Sequence, residues 1–344
     1  MIKRKTLFVL GAGASMPYGM PSGPELVAEI LKLRNTDMLQ ESSTGSLKTQ
    51  FDSRCYQLKK FQDLVRSSDV ASIDLFIKHN PGLASFGKFL IARILLGREE
   101  EKRLDGSYSK SEATPNGDHW YKFMWEKMVV DVEEAKELQQ NQIAFITFNY
   151  DISLESYLAR SIRGLFSQKL EHNEEYAILS HFPIIHVFGS LLGQHTDETP
   201  FRSYNGLSPI LSYSHLNDLS QNLLTIGEAF SRVNSQKKCN LPNDHQMRIQ
   251  NLFDQAERII FLGLGYHPEN LDVLNPSRWI HKADRGNYLY MSAYGLSKAD
   301  LSATLSRLHG KEKSAVEWPL PYESTDEIVK YKSREFLWRS GALN

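Results

Sequence analysis

The sequence predicts a protein of the α/β class, in which a parallel sheet is covered by helices on both faces. Five short apolar runs lack the alternation of half-exposed strands and end in turn residues, which is typical of buried parallel strands. They cover residues 6–10, 143–148, 184–188, 258–262 and 288–292. The stretches between them have helical spacing, and strand–helix alternation of this kind builds an open, mostly parallel sheet.

The first strand leads into a helix whose start is marked by local signals. Ser22 and Glu25 form the pattern of a capping box, and Pro24 lies just inside the predicted start. Further along the chain, the spacing of apolar residues predicts helices at 215–233 and 326–339. Residues 315–318 are a weaker candidate for a sixth strand.

The interval between the first two strands is too long for a single crossover. Residues 11–142 occupy it, whereas a strand–helix–strand unit needs only a few dozen residues. We predict helices there at 56–66, 73–79, 83–97 and 120–140, and a polar loop at 105–118. We therefore expect one Rossmann-like domain made of residues 1–36 and 140–344, split by a helical insertion subdomain at 37–139.

Composition excludes several classes of protein. The 40 Lys and Arg residues are balanced by 41 Asp and Glu residues, so nothing indicates direct binding of nucleic acid. Cys55 and Cys239 are too few for a four-cysteine zinc site. No apolar run approaches the length of about 18 residues that a membrane span needs. Residues 1–14 imitate a signal peptide, but a strand that runs into a glycine turn explains them better, so we expect a cytoplasmic protein.

Glycine-rich turns follow two of the predicted strands. Residues 11–15 read Gly-Ala-Gly-Ala-Ser, and residues 263–266 read Gly-Leu-Gly-Tyr. Such turns let backbone N–H groups approach a pyrophosphate. The dinucleotide fingerprint G-x-G-x-x-G is incomplete, because Met16 stands at the third glycine position. A tight turn that needs glycine for steric reasons is the alternative interpretation.

Polar residues follow two of the three remaining predicted strands. Asn149 and Asp151 come at the end of the second, where open α/β sheets bind ligands; either residue could instead cap the helix that follows. His186 lies near the end of the third, shortly before Gly189. It is a candidate general base, and a buried imidazole with a structural role is the alternative.

In this order the four motifs resemble the sirtuin superfamily, and in particular the zinc-free, sirtuin-like NAD⁺ hydrolase subunits of bacterial anti-phage systems. Residues 11–15, with Gly19, Pro21 and Gly23, are similar to the sirtuin phosphate loop, and residues 147–151 to its Thr-Gln-Asn-x-Asp motif. Residues 186–189 fall where the family has its catalytic His-Gly segment, and residues 263–265 resemble its adenosine-side loop. The resemblance covers roughly residues 5–35 and 140–295.

The sequence departs from the sirtuin pattern in two places. The four-cysteine zinc module of sirtuin deacylases is absent, which puts the acyl-lysine channel in doubt and favours hydrolysis of NAD⁺ over deacylation. Alignment on Gly189 also places Phe188 where the family has its histidine. His186 points to the same strand face two residues earlier, so either position is open as the one that faces the catalytic site.

The resemblance implies an activity and a role for each candidate residue. NAD⁺ would be the substrate, with no metal, and cleavage of the nicotinamide–ribose bond would give nicotinamide and ADP-ribose. Asn149 would hold the ribose and the attacking water, His186 would take a proton, and Asp151 would orient the substrate. Binding of the dinucleotide would fall to the remaining residues of the four motifs: Gly11, Ala12, Gly13, Ser15, Gly189, Gly263, Gly265 and Tyr266.

The resemblance also implies a biological setting. Depletion of NAD⁺ would serve abortive infection as antiviral defence, in a homo-oligomer gated by a partner such as a HerA-type DNA translocase. The insertion at 37–139 would then be an assembly surface or a lid, or it simply completes the core. A catalytically inactive NAD- or ADP-ribose-binding sensor or scaffold subunit is the alternative. A Mg²⁺-dependent nucleotide-processing enzyme ranks lower, because its carboxylates would be scattered over separate motifs.

Overall fold

A computed structural model describes residues 1–38, 45–105, 118–171, 174–191, 213–233, 236–275, 288–294, 296–297, 299–300, 303–304 and 331–343. The strands are β1 (Thr6–Leu10), β2 (Ile143–Thr147), β3 (Ile184–His186), β4 (Phe230–Val233), β5 (Gln236–Cys239), β6 (Arg258–Leu262) and β7 (Tyr288–Met291). The helices are α1 (Ala12–Ser15), α2 (Gly23–Lys32), α3 (Gly45–Ser68), α4 (Ile73–His79), α5 (Ala84–Asp105), α6 (Trp120–Met128), α7 (Ser153–Leu165), α8 (Glu174–Leu179), α9 (Tyr213–Gln221), α10 (Ile226–Ala229), α11 (Asn243–Gln255), α12 (Pro268–Leu274) and α13 (Ser333–Arg339).

Five strands form one parallel sheet in the order β3-β2-β1-β6-β7. Thr6 of β1 lies opposite Ile143 of β2 and Arg258 of β6, so the carboxyl ends of the three central strands reach the same edge. The predicted α/β class, with a parallel Rossmann-like sheet, is confirmed. All five predicted strands are present, with ends that differ from the predictions by at most two residues.

The two faces of the sheet bury two separate apolar clusters. Phe8 and Leu10 of β1 pack on one face with residues of α6, α7 and α8, whereas Leu7 and Val9 pack on the other with residues of α11 and α12. Side chains alternate across a strand, so a strand that is apolar throughout requires cover on both sides. This explains why the five runs lack alternation.

A third apolar cluster lies among the helices that precede residue 100. Helices α2, α3, α4 and α5 share it with residues of α9. Trp120 and the rest of α6 instead pack directly on the sheet, against Phe8. The interval from 37 to 139 therefore contributes to two clusters, one that it shares with α2 and α9 and one under the sheet.

Two of the predicted helices are wrong in part. The stretch 120–140 is not one helix: α6 ends at Met128, Asp131 takes a positive φ of 58°, and a 3₁₀ turn follows at Ala135–Gln140. The stretch 215–233 ends as a strand, because β4 pairs with β5 in an antiparallel hairpin. Apolar spacing alone does not separate a short helix from a short strand.

The remaining predicted elements are described in part or not at all. The helix predicted at 56–66 lies within α3, the one predicted at 83–97 covers the first part of α5, and α4 has the predicted bounds. The capping box of α2 is formed by Ser22 and Glu25. Residues 106–117, the predicted strand at 315–318 and the first part of the helix predicted at 326–339 lie outside the described residues. Among the helices that are described, none is long and apolar enough to cross a membrane.

Candidate functional site

The carboxyl edge of the sheet contains a topological switch point. Strands β2 and β3 lie on one side of β1, and β6 and β7 lie on the other. Open α/β sheets bind ligands in the crevice that such a reversal leaves outside the strand ends. Both β1 and β6 run into a Gly-x-Gly turn at this point, so the crevice is bordered by the two glycine motifs.

The two glycine turns contact each other directly. The N–H of Gly11 donates to Leu262 O, and the N–H of Gly13 donates to Gly263 O, each at 3.0 Å. Gly263 has a φ of +61°, and a Cβ there would lie 2.1 Å from Ala14 N. The close contact between the turns thus explains why glycine is required at these positions. The N–H groups of Gly11 and Gly13 bond the neighbouring turn, so their proposed role at a pyrophosphate stays a prediction.

Asn149 connects the end of β2 to the turn after β1. Its Nδ2 donates to Gly11 O at 3.0 Å and to Ser15 Oγ at 2.9 Å. A backbone carbonyl only accepts, so the contact with Gly11 determines which end of the amide faces the turn. Oδ1 therefore faces the other way, and among the described residues no hydrogen bond reaches it. The half-buried side chain holds this acceptor at the crevice.

A chain of hydroxyl groups lies beneath Asn149. Ser15 Oγ donates to Asp151 Oδ1 at 3.1 Å, and Ser153 Oγ donates to the same oxygen at 2.5 Å. Tyr121 supplies the next hydroxyl, 3.0 Å from Ser153 Oγ. Both serine hydroxyls donate to Asp151 and accept in turn, Ser15 from Asn149 Nδ2 and Ser153 from the Tyr121 hydroxyl, so both are satisfied although they are buried.

Asp151 is a buried member of that network. Burial raises its pKa above the ordinary carboxyl value, and the hydrogen bonds from Ser153 oppose the increase. Asp151 also accepts from the Ser153 N–H at 3.1 Å, in the first turn of α7. The N-cap residue of α7 is Ile152, so Asp151 only accepts from the first N–H group of the helix, whereas Asn149 points back to the glycine turn.

His186 holds the backbone of Asn149. Its Nδ1 lies 2.8 Å from Asn149 O and its Nε2 lies 2.6 Å from Glu155 Oε1, a carboxylate on α7. Burial disfavours the charged ring, but the Glu155 carboxylate and the Asn149 carbonyl outweigh it, so the pKa of His186 lies above its usual value. Both ring nitrogens are engaged by the protein.

Phe188 has a different environment. Its ring packs edge-on against Phe148, with centroids 5.6 Å apart, inside the apolar cluster that also contains Leu7 and Val9. Of the two positions left open by the sequence, His186 is the one in contact with Asn149.

The other predicted binding residues are spread along the edge. Gly189 forms a tight turn with a φ of +78°, where a Cβ would lie 2.0 Å from Asn222 O. Tyr266 is buried, and its hydroxyl donates to Ser292 O at 2.7 Å. Gly265 is exposed, with open space where a side chain would stand. Gly189 and Tyr266 therefore make structural contacts and Gly265 lies at the surface, and the binding roles predicted for all three stay predictions.

Helix α4 crosses the crevice, which the sequence did not predict. Near its start, Asp74 Oδ1 lies 3.0 Å from the hydroxyl of Tyr150, the residue after Asn149. Near its end, Lys78 Nζ lies 2.5 Å from Glu269 Oε1, in the first turn of α12. Tyr150 follows β2 and Glu269 follows β6, the two strands that flank β1. The helix therefore spans the carboxyl end of β1.

Comparison with known proteins does not place the chain in a family. No family model matches it, and no curated protein is significantly similar to it. In the part of the chain that the structure describes, no group of three or more His, Cys, Asp or Glu side chains is arranged to hold a metal ion. The fold and the site define a class: an α/β protein with a parallel sheet and a polar crevice at its switch point.

Proposed function

We propose that the protein is an NAD⁺ glycohydrolase, which cleaves the nicotinamide–ribose bond to give nicotinamide and ADP-ribose. The observation that carries the proposal is the orientation of Asn149. Its Nδ2 is held by Gly11 O and Ser15 Oγ, and its Oδ1 has no partner among the described residues. The order of the four motifs, in resemblance to sirtuin-like hydrolases, supports the same assignment.

The chemistry requires an oriented acceptor more than a strong acid. Nicotinamide leaves as a neutral molecule from a cationic ring, and the difficulty lies in the oxocarbenium-like sugar that remains. Asn149 Oδ1 accepts a hydrogen bond from a ribose hydroxyl or from the attacking water and so holds the two reactants in line. An acceptor whose position is already established by two other bonds requires little reorganisation as the reaction proceeds.

Asp151 and His186 act around Asn149. When ionised, the Asp151 carboxylate favours positive charge that develops on the sugar, across the Ser15 hydroxyl. His186 has both ring nitrogens bonded to protein, so its role in this geometry is to hold Asn149 rather than to take a proton from water. The pyrophosphate and the adenosine are assigned to the turns at residues 11–15 and 263–265.

Access to the crevice is the natural point of control. Helix α4 lies across the crevice. Unregulated hydrolysis of NAD⁺ would be toxic to the cell, so the activity needs a means of control. We include in the proposal that hydrolysis serves abortive infection, that the protein acts as a homo-oligomer, and that a partner such as a HerA-type translocase releases the activity. The resemblance of the motifs supports these points.

The first test is product analysis with a matched pair of variants. Purified protein is incubated with NAD⁺, and nicotinamide and ADP-ribose are separated by chromatography. Asn149→Ala is expected to abolish both products while the thermal unfolding transition is retained. Asn251→Ala, an exposed residue of α11, is the control and retains the wild-type rate. Full activity of Asn149→Ala would contradict the proposal.

A binding function without turnover is the second candidate. The engaged N–H groups of Gly11 and Gly13, and the doubly bonded ring of His186, favour it, because they describe a site whose groups already have partners. Calorimetry separates the two functions. Heat of NAD⁺ binding that saturates, with no nicotinamide formed over hours, would assign the chain as a sensor or scaffold.

A further inference from the structure

We propose that Glu155 is a positioning residue for Asn149 and acts through His186. This inference rests on the proposed function, because Asn149 is the residue that would contact the substrate. Glu155 lies in the first turn of α7, outside all four sequence motifs, and it is buried. Glu155 follows Asn149 by six positions in the sequence, and this spacing does not indicate that the two residues are connected.

The connection consists of three consecutive contacts. Glu155 Oε1 lies 2.6 Å from His186 Nε2, and His186 Nδ1 lies 2.8 Å from Asn149 O. Asn149 Nδ2 then donates to Gly11 O at 3.0 Å. The contacts join α7, the end of β3, the residue after β2 and the turn after β1. Because the backbone of Asn149 is held on one side and its amide on the other, the direction of Oδ1 depends on both.

With Glu155 ionised, the contacts require two protons on the imidazole. Asn149 O is a carbonyl oxygen and only accepts, so Nδ1 carries a proton. A Glu155 carboxylate likewise accepts, so Nε2 carries the second. Burial disfavours the charged ring, but Glu155 and the Asn149 carbonyl outweigh it and raise the pKa of His186, with a further contribution from Asp151. Glu155 also stands where the helix N-terminus favours negative charge.

The groups that face His186 from the surrounding elements are few. Glu155 comes from α7, Asp151 from the segment after β2, and His245 from the first turn of α11. Burial lowers the pKa of His245, the Arg248 guanidinium lowers it further, and His186 adds a smaller decrease, so His245 is neutral beside the charged ring. The carboxylates therefore dominate the environment of His186.

Loss of one proton from the ring breaks the connection at one end. A neutral imidazole has a single N–H, so either Glu155 or Asn149 faces a bare nitrogen. A glutamine at position 155 avoids this loss, because its amide N–H donates to Nε2 while Nδ1–H still donates to Asn149 O. A leucine makes no hydrogen bond and leaves Nε2 without a partner.

The experiment compares Glu155→Leu, Glu155→Gln and the control Glu175→Gln in the full chain. Glu175 is also a buried glutamate with one cationic partner, Arg163, but that partner lies near the far end of α7. For Glu155→Leu we expect kcat for NAD⁺ hydrolysis to fall by roughly 10- to 100-fold, the range seen when a residue that orients a site group is lost, with little change in KM. Glu155→Gln recovers most of this loss.

The pH profile tests the proton requirement. The wild-type kcat falls at pH values above the pKa of His186, Glu155→Gln lacks this alkaline fall, and Glu175→Gln keeps the wild-type profile. A wild-type kcat in Glu155→Leu would overturn the proposal, and so would equal losses in Glu155→Gln and Glu155→Leu, since the amide should preserve the contacts.

Nitrogen NMR of the imidazole ring separates a failure of this inference from a failure of the proposed function. At pH 6 both ring nitrogens of His186 should be protonated in the wild type, and the signals are assigned by comparison with His186→Gln. A bare ring nitrogen would overturn the connection whether or not NAD⁺ is hydrolysed. A doubly protonated ring in a chain that never releases nicotinamide would instead retain the connection and reject the hydrolase.

Discussion

Gly13 and Gly263 meet backbone to backbone at the carboxyl edge of the sheet. The Gly13 N–H donates to Gly263 O at 3.0 Å, and a Cβ on Gly13 would lie 2.8 Å from Gly263 Cα. Strands β1 and β6 are neighbours in register, so their turns are brought together by the sheet itself. The contact joins the two turns to which the dinucleotide is assigned.

Gly263→Ala should therefore destabilise the fold strongly. The new Cβ would lie 2.1 Å from Ala14 N, a backbone atom that cannot rotate away, and the φ of +61° disfavours alanine. We expect the free energy of unfolding to fall by about 3 kcal/mol or more in urea titrations. Gly265→Ala is the matched control: its Cβ meets open space, and a change within about 0.5 kcal/mol is expected. Equal stabilities of the two variants would contradict the contact.

Phe188→Leu and His186→Ala decide which position of β3 serves the site. Phe188 packs on Phe148 in the core, so leucine should lower the free energy of unfolding by about 1 to 2 kcal/mol without lowering the rate of NAD⁺ hydrolysis. His186→Ala should lower the rate, because it releases the Asn149 carbonyl. Urea unfolding and product chromatography are measured on both variants. A Phe188→Leu protein that is stable but inactive would reverse the assignment.

Asp74→Asn tests the contact between α4 and Tyr150. Burial raises the pKa of Asp74 to about 6. The folded protein then holds a proton that the unfolded chain has released, so the free energy of unfolding falls as pH rises from about 4 to about 6. An asparagine removes this loss: its Nδ2 donates to the Tyr150 hydroxyl, which itself donates to Leu224 O at 2.8 Å.

We expect Asp74→Asn to be more stable than the wild type by about 1 to 2 kcal/mol at pH 8, below the limit of about 3 kcal/mol that the pKa shift allows. The gain should shrink at pH 5. Asp63→Asn, at an exposed position of α3, is the control and should change stability by less than about 0.5 kcal/mol at both pH values. Urea unfolding at the two pH values measures the difference, and a gain that is the same at both would refute the titration of Asp74.

The sheet was predictable because its signals are local. Runs that are apolar on both faces predict buried parallel strands, and glycines at two strand ends indicate a close approach of backbone. Part of the site could be predicted as well, because the carboxyl ends of parallel strands share one edge of the sheet. This arrangement brings Asn149 and Gly11 together. The residues that act through another residue were not predictable in this way. Glu155 reaches His186 only through the packing of α7 on β3.

The errors in the predicted fold have the same cause, which is contact with residues distant in the sequence. The hairpin of β4 and β5 is formed by a partner strand that the spacing of 230–233 does not reveal, so pairing overrides the local pattern. The placement of α4 depends on Asp74 and Lys78 finding Tyr150 and Glu269 far along the chain. No feature of residues 73–79 distinguishes a helix that crosses the crevice from one that merely fills the core.

Lys78→Met should raise the rate of NAD⁺ hydrolysis by the isolated chain. Lys78 Nζ lies 2.5 Å from Glu269 Oε1 and joins the end of α4 to α12 across the crevice. The side chain of Lys78 is 35% exposed and that of Glu269 is 12% exposed, and Glu269 keeps its contact with His267. Loss of the pair therefore costs about 1 kcal/mol, which corresponds to a roughly fivefold shift toward an open arrangement. Lys169→Met breaks the exposed pair with Glu134, on the surface, and is expected to leave the rate unchanged. Initial rates at NAD⁺ concentrations well below KM measure the effect, because a change in access alters kcat/KM. A rate in Lys78→Met equal to that of Lys169→Met would mean that α4 does not limit access, and control would then have to act on Asn149 itself.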